Sequence, residues 1–295
     1  MSRYFTLLIS TAAFGGMPGA VNFASAAETP ASPDKSGYHL FNPTPRVLMR
    51  EMSTDRPDKT ESPYTVDAGH FQIEMDVFTY SYDRYNSERR DVSAESLSIA
   101  PVNLKAGLFN NVDLQLVLET YTSVRIHDRD AGTVEKQRGF GDVTSRLKFN
   151  LWGNDGGPTA FAVMPYVKLP TNQDRLGNNS VEGGVIFPLA VALPHDFGLG
   201  VMTQFDFIRD EDDGGHHPEF VNSITLSHDL GGELGGYVEF FSVVSAESNS
   251  PWVGTVDVGF TYGLTEDIQL DAGVNIGATR SAEDWNPFLG ISWRF

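Results

Sequence analysis

In IQLDAGVNIGA, residues 268–278, apolar residues alternate with polar residues or glycine along the whole length. The apolar set runs over the even-numbered positions from Ile268 to Ala278, and the other set over the odd-numbered positions. Side chains of a β-strand point alternately to its two faces, whereas an α-helix would scatter the same residues around its circumference. The stretch therefore predicts a strand with one apolar face and one polar face.

The same alternation recurs through the chain and reaches its last residue. The ending FLGISWRF places Leu289, Ile291, Trp293 and Phe295 on one face. Twelve such segments are predicted, starting near residues 69, 92, 112, 140, 158, 180, 198, 219, 235, 251, 268 and 287. In the second segment the apolar parity switches across Pro101, which predicts a β-bulge, since one extra residue reverses every later side chain.

The connections between segments also alternate, in length and charge. Short turns such as GNDGG (153–157) follow the even-numbered segments, and longer charged links such as SVRIHDRDAGTVEKQR (123–138) follow the odd-numbered ones. Outer-membrane barrels combine short periplasmic turns with longer outer loops in this order, whereas a Greek-key sandwich gives no reason for it. The sequence predicts an all-β fold, a transmembrane antiparallel up-and-down β-barrel of about 12 strands over residues 67–295. A soluble exported β-domain that binds a ligand is the alternative.

The N-terminal residues differ from the barrel segments. Residues 1–27 combine an early cation, an apolar core and small residues, the pattern of a signal peptide. Residues 28–66 form a Pro-rich leader without strand alternation, which is either a plug or lining of the lumen or a periplasmic tether. The formal charge of −18 argues against nucleic acid as a partner, and the apolar runs are too short for a membrane helix.

Charged residues on the polar faces are the candidate lumen site. In a barrel they would line the lumen and set its selectivity, or pair across neighbouring strands and hold the wall together. The acidic excess favours cations or neutral solutes over anions. The predicted lumen-lining residues are Glu74, Asp76, Asp113, Glu119, Asp142, Arg146, Lys148, Lys168, Asp206, Asp257, Asp271 and Arg294.

Other chemistry finds little support in the sequence. The loop RDEDDGGHHPE (209–219) is rich in carboxylates and imidazoles, but its spacing matches no metal motif, so a solvated outer loop is favoured and no metal is assigned. No cofactor is predicted, and no Walker loop, nucleophile elbow or HExxH motif is present. Ser227 and His228 are adjacent, so on a strand they face opposite ways and cannot form a nucleophile–base pair with each other. The chain is predicted not to be an enzyme, with a lipase-like barrel that uses His228 and a distant serine as the remaining enzymatic option.

Four stretches resemble a known family of outer-membrane transporters, labelled "MetA-pathway of phenol degradation". They are STDRPDKTESPYTVDAGHFQIEMDVFTY (53–80), GFGDVTSRLKFNLWG (139–153), MPYVKLPTN (164–172) and VDVGFTYGLTEDIQLDAGVNIG (256–277). The resemblance implies a porin-like barrel in the outer membrane of a Gram-negative-type cell. The final WRF is similar to the C-terminal signal by which such barrels are recognised for assembly, which assigns that role to Trp293 and Phe295.

The function expected from these features is passive passage of small organic solutes, aromatic compounds among them, through an outer-membrane channel. A non-transporting structural or surface barrel is the alternative. The expected partners are outer-membrane lipid and lipopolysaccharide, the barrel-assembly machinery and the solutes themselves. Divalent ions held by loop 210–217 could link it to anionic headgroups.

Overall fold

The structure is a computed structural model that describes residues 15–16, 33–86, 91–210 and 214–295. Apart from Gly15–Gly16, the signal peptide predicted at residues 1–27 lies outside the described residues. Among the described residues, no helix has the length and apolarity needed to cross a membrane. The leader contains one short 3₁₀ turn, Arg46–Leu48, and a two-residue strand, Pro57–Asp58, which pairs with Gly15–Gly16.

One antiparallel sheet contains the remaining strands. They are β1 Phe71–Asn86, β2 Val92–Ile99, β3 Val102–Phe109, β4 Val112–Leu118, β5 Tyr121–Asp128, β6 Thr133–Gly139, β7 Val143–Trp152, β8 Thr159–Leu169, β9 Glu182–Ala192, β10 Phe197–Arg209, β11 His216–Gly231, β12 Leu234–Ser245, β13 Val253–Thr265, β14 Ile268–Gly277 and β15 Trp285–Arg294.

The sheet closes on itself, because β15 pairs with β1. Phe295 and Phe71 exchange two backbone hydrogen bonds, with N···O distances of 2.9 and 3.0 Å. The closed ring has 12 strands, β1, β3, β4 and β7–β15, joined in sequence order. Closure removes the open edges that a sandwich would keep. The predicted antiparallel up-and-down barrel is therefore confirmed, and a Greek-key sandwich is excluded.

β2, β5 and β6, the three strands outside the ring, extend the sheet at the end of the barrel that carries the long loops, the loop side. β2 and β3 are two parts of one predicted segment, and they are separated at Ala100, whose φ is 55°, and Pro101. Leu97 before the break and Leu104 after it both face outward, so the parity switch predicted at Pro101 is present. The link 123–138 was expected to be a loop, and this expectation is wrong: residues 121–139 form the β5–β6 hairpin around a short turn.

The two faces of the wall are inverted relative to a water-soluble protein. Large apolar side chains face outward, as in the aromatic pair Trp152 and Phe161, whose ring centroids are 4.8 Å apart. Charged and polar side chains face inward and are buried. This arrangement is that of a membrane barrel, in which lipid solvates the outer face.

Part of the lumen is nevertheless apolar. Inward side chains of β8–β12 form a compact cluster of Met164, Ile186, Met202, Val221 and Phe241. The cluster fills part of the lumen beside these strands.

Candidate functional site

The leader lies inside the barrel from about residue 53 onward. Thr54 to Asp58 and Thr60 to Ser62 are all buried, and each polar residue among them is at most 3% exposed. Pro57 and Pro63 lack a backbone N–H, and this segment is held mainly by its side chains. Its contacts are with the inward residues of strands on opposite sides of the barrel.

Asp55 anchors the leader to β3 and β7. Its carboxylate forms ion pairs with Lys105 and with Lys148, the latter at 2.5 Å, and accepts a hydrogen bond from Gln115 at 3.1 Å. Its backbone N–H donates to both oxygens of Glu74, at 3.0 and 3.1 Å. Burial opposes ionisation of Asp55, but the two lysines outweigh it and hold its pKa well below the ordinary value. The negative charge of Asp55 is therefore balanced by two lysines of the barrel wall.

Arg56 anchors the leader to the seam of the barrel. It donates to both carboxylate oxygens of Asp271, at 2.7 and 3.1 Å, and forms an ion pair with Asp76 at 2.6 Å. Its pKa is raised, because the two carboxylates outweigh the cost of burial. The guanidinium approaches the wall where Gly290 leaves room: a Cβ at Gly290 would lie 2.0 Å from its Nη2.

Lys59, Thr60 and Glu61 extend the contacts of the leader to β12, β13 and β7. Lys59 forms an ion pair with Asp257 at 3.2 Å, and its backbone N–H donates to Glu239 at 2.9 Å. Thr60 hydrogen-bonds Glu239 at 2.5 Å. Glu61 forms an ion pair with Arg146 at 2.7 Å. Burial raises the pKa of Glu61 to about 7 even though this guanidinium opposes the shift. Burial, followed by the charge of Glu239, also raises the pKa of Asp58, on the same segment.

A second set of ionic contacts fixes the leader at the end of the barrel that carries the short turns, the turn side. Asp67 lies 3.4 Å from Arg50 and 3.7 Å from Arg294, and Lys35 pairs with Asp155 at 2.7 Å. The leader is therefore attached both within the lumen and at one rim.

All of the predicted lumen-lining residues face the interior, and all are buried except Glu119 and Lys168, which are partly buried. Most of them contact the leader or its junction with β1, and Glu74 also pairs with Lys105 on the neighbouring strand β3 at 2.6 Å. Those that contact residues 55–67 are Glu74, Asp76, Asp113, Arg146, Lys148, Asp257, Asp271 and Arg294. The structure thus adds the leader as a partner that neither sequence interpretation included.

The other four predicted residues have partners within the wall. Lys168 pairs with Glu182 across neighbouring strands at 2.5 Å. Asp206 accepts a hydrogen bond from Tyr166 at 2.5 Å, and Asp142 accepts one from the side chain of Asn172 at 2.8 Å. The side chain of Glu119 packs against Gly141, and a Cβ added at Gly141 would lie 1.8 Å from the Glu119 carboxylate.

Sequence reasoning missed several residues of this site. Lys105 follows the parity switch and shares the polar parity of Asn103, so the corrected register of β3 could have found it. Glu239 lies in a segment that is apolar on both faces, where alternation gives no signal. Asp55, Arg56 and Glu61 belong to the leader, and no local pattern places them inside a barrel.

The leader divides the free space of the lumen into two cavities. The cavity on the turn side has a volume of about 680 Å³, and the one on the loop side about 110 Å³. Asp58 lines both. The loop-side cavity is lined by hydroxyl, amide and charged side chains, and by the ring of Phe288. The hydroxyl and amide residues are Thr79, Ser81, Ser96, Ser98, Thr122, Thr144, Asn275 and Asn286, and the charged ones are Arg56, Asp58, Lys59, Asp76, Glu119, Arg146 and Glu283.

The C-terminal residues assigned to assembly lie on the outer face. Trp293 and Phe295 are each about half exposed, at 50% and 54%. Phe295 stacks on Phe71 with ring centroids 5.9 Å apart, so the last residue sits at the closing seam. Their role as an assembly signal stays a prediction.

Comparison with known proteins agrees with this architecture. A family model described as "Putative MetA-pathway of phenol degradation" matches residues 54–295. No curated protein matches the sequence. The crystal structure of the COG4313 outer membrane channel from Pseudomonas putida F1 is similar, with a TM-score of 0.62 and 14% identity, over 82% of this chain and 100% of that one. At this identity the likeness shows the fold.

Two autotransporter domains are more distant. The transport unit of AIDA-I from Escherichia coli has a TM-score of 0.49 at 11% identity, over 77% of this chain and 90% of that one. The translocator domain of NalP from Neisseria meningitidis has a TM-score of 0.47 at 10% identity, over 76% of this chain and 88% of that one. Neither carries further weight here.

Proposed function

Because the chain belongs to the family described as "Putative MetA-pathway of phenol degradation" over residues 54–295, we propose that it is an outer-membrane channel for small organic solutes, closed at rest by its own leader. The matched region begins at Thr54, so it includes the leader segment that lies in the lumen as well as the whole barrel. Residues 1–27 would direct export and be removed, and residues 28–66 and 67–295 would act as plug and barrel.

One observation carries the proposal: residues 55–61 separate the two cavities of the lumen. A solute that enters the loop-side cavity meets Arg56, Asp58 and Lys59 before it can reach the turn-side cavity. Both cavities border the same short segment, so displacing that segment would join them. The channel would open by movement of the leader and not by deformation of the hydrogen-bonded wall.

The lining of the loop-side cavity favours small solutes with a hydroxyl, carbonyl or amide group. Serine, threonine and asparagine side chains replace the water contacts that such a solute loses on entry. Phe288 offers an apolar face to a ring or short carbon chain. Glu119 disfavours small anions on the same path, while Arg146 is already paired with Glu61.

Conductance and solute flux test the proposal in the full-length protein. We expect the wild type to show low conductance in planar bilayers, and a variant lacking residues 55–61 to conduct at least severalfold more. Liposome swelling with small phenols, alcohols and amides should rise in the same variant. A deletion variant that folds, shown by the gel shift between boiled and unboiled samples, but neither conducts nor passes solutes would contradict the proposal.

The same occlusion favours a second function, a structural outer-membrane barrel that does not transport. In that case the leader would be a permanent part of the core. The wild type would then pass no solute under any condition, and loss of residues 55–61 would lower the stability of the barrel without giving selective flux.

A further inference from the structure

A histidine and three carboxylates meet at the loop side of the barrel, away from the leader. Ligand atoms of Asp210, His217 and Glu247 all lie within 4.8 Å of one another. Nδ1 of His217 is 2.7 Å from Oδ1 of Asp210, and its Nε2 is 3.4 Å from Oε1 of Glu219. Only 8% of the His217 surface is exposed.

The backbone builds this cluster from three consecutive strands. Asp210 follows β10 directly, His217 and Glu219 lie in β11, and Glu247 follows β12. The N–H of Asp210 donates to Gly215 at 3.0 Å, which closes the first loop. The N–H of Ala246 donates to Pro218 at 3.0 Å and joins the second loop to β11. The side chains therefore converge on a hydrogen-bonded framework.

We propose that Asp210, His217 and Glu247 bind one divalent transition-metal ion of the zinc class at the outer mouth of the barrel. Zinc binds imidazole nitrogen and carboxylate oxygen in tetrahedral sites, and where three protein ligands hold it, water takes the fourth position. Ligand atoms bound to one tetrahedral zinc at about 2.0–2.1 Å are roughly 3.4 Å apart. Side-chain rotations that move the ligand atoms of Asp210, His217 and Glu247 by about 1 Å would bring them to this spacing.

The second ring nitrogen supports the assignment. With Nδ1 directed to the metal, the Nε2–H of His217 donates to Glu219, which fixes the tautomer and the orientation of the ring. A carboxylate that orients a ligating histidine from behind is the usual outer shell of a protein metal site. Three carboxylates around one imidazole also leave excess negative charge, which a divalent cation would neutralise.

The ion would join Asp210, directly after β10, to the segment after β12. Both belong to the outer mouth, because long loops lie on the outside of such barrels. Metal binding would therefore stabilise the folded barrel. This inference is independent of the proposed channel function, since it concerns neither the leader nor the two lumen cavities.

Zinc titration of the purified, folded full-length protein tests the site. We expect one Zn²⁺ per chain by calorimetry or by competition with a chromogenic chelator. His217→Asn and Glu247→Gln should each weaken binding at least tenfold. The matched control is His216→Asn: the neighbouring imidazole lies on the opposite face of β11, close to the carbonyl oxygen of Val181, and its loss should leave the affinity unchanged.

A second readout separates a metal site from adventitious binding. Zn²⁺ should raise the thermal unfolding temperature of the wild type and of His216→Asn, but not that of Glu247→Gln, whose substitution lies on a loop and should not impair folding. Absence of saturable binding, equal affinity in His217→Asn, or displacement of Zn²⁺ by equimolar Ca²⁺ would overturn the assignment.

Discussion

Replacing Arg56 with glutamine should release the leader from the lumen. The guanidinium is buried and is paired with Asp76 at 2.6 Å and with Asp271 at 2.7 Å. Glutamine keeps much of the volume but leaves two buried carboxylates without their cation. Removing one partner of a buried ion pair typically costs about 3–5 kcal/mol.

The cost should fall on docking of the leader and not on the barrel. The wall strands keep their full ladder of backbone hydrogen bonds, so the unpaired carboxylates are relieved when the leader leaves and water enters. Each 1.4 kcal/mol changes an equilibrium tenfold, so the ratio of docked to undocked leader should fall by roughly 100- to 3,000-fold.

A thiol placed in the leader measures this ratio. The chain has no cysteine, so Ser62→Cys provides a single reporter at a site that is 2% exposed. Maleimide should label it slowly in the otherwise unchanged protein and at least 100-fold faster when Arg56→Gln is added. Arg46→Gln is the control, because Arg46 is half exposed and its partners Glu266 and Asp267 lie at the turn-side rim, away from Ser62, so its loss should leave the labelling rate unchanged.

Equal labelling rates with and without Arg56→Gln, in barrels that show the same gel shift, would refute the reasoning. A rise in labelling without any rise in conductance would show that the leader undocks but does not gate the pore.

Three further outcomes are expected. Gly290→Ala places a Cβ 2.0 Å from the Arg56 guanidinium and should speed Ser62→Cys labelling, though less than Arg56→Gln because the guanidinium can shift; Gly37→Ala, with open space around it, should have no effect. Burial raises the pKa of Glu61 from its ordinary 4.5 to about 7, so the docked leader binds a proton more tightly than the undocked one. Docking should therefore be strongest near pH 4.5 and should weaken as the pH rises to about 7. Labelling of Ser62→Cys whose pH dependence is unchanged by Glu61→Gln would contradict this. Deleting residues 293–295 removes Phe295 from the seam with Phe71 and should reduce the amount of assembled barrel in outer-membrane fractions; normal levels would count against an assembly role.

The strands could be predicted because each one depends on a local pattern. Alternation in residues 268–278 assigns β14 and its inward Asp271 without reference to any other part of the chain. The parity switch at Pro101 marks the break between β2 and β3 for the same reason. The one misassigned link, 123–138, contains charged residues that resemble a loop, and it is a hairpin because strands can extend beyond the membrane into water, where both faces tolerate charge.

The partners of the inward charges could not be predicted in this way. Alternation places Lys148 and Arg146 on the polar face of β7, but Asp55 and Glu61 reach them from 93 and 85 residues away. Pairing at that separation depends on where the leader runs inside the closed barrel, and residues 53–66 contain no periodic pattern that would reveal their path.

The alternation of the sequence therefore predicts the barrel, the twelve strands of its ring and the inward side of most strands, because a period of two is a property of neighbouring residues. The tertiary structure decided which inward residues meet. It brought Asp55, Lys105 and Lys148 together inside the lumen, and Asp210, His217 and Glu247 together at the mouth. The first group depends on the leader lying inside the closed wall, whereas the second depends on three neighbouring strands, β10–β12, whose ends place the side chains together.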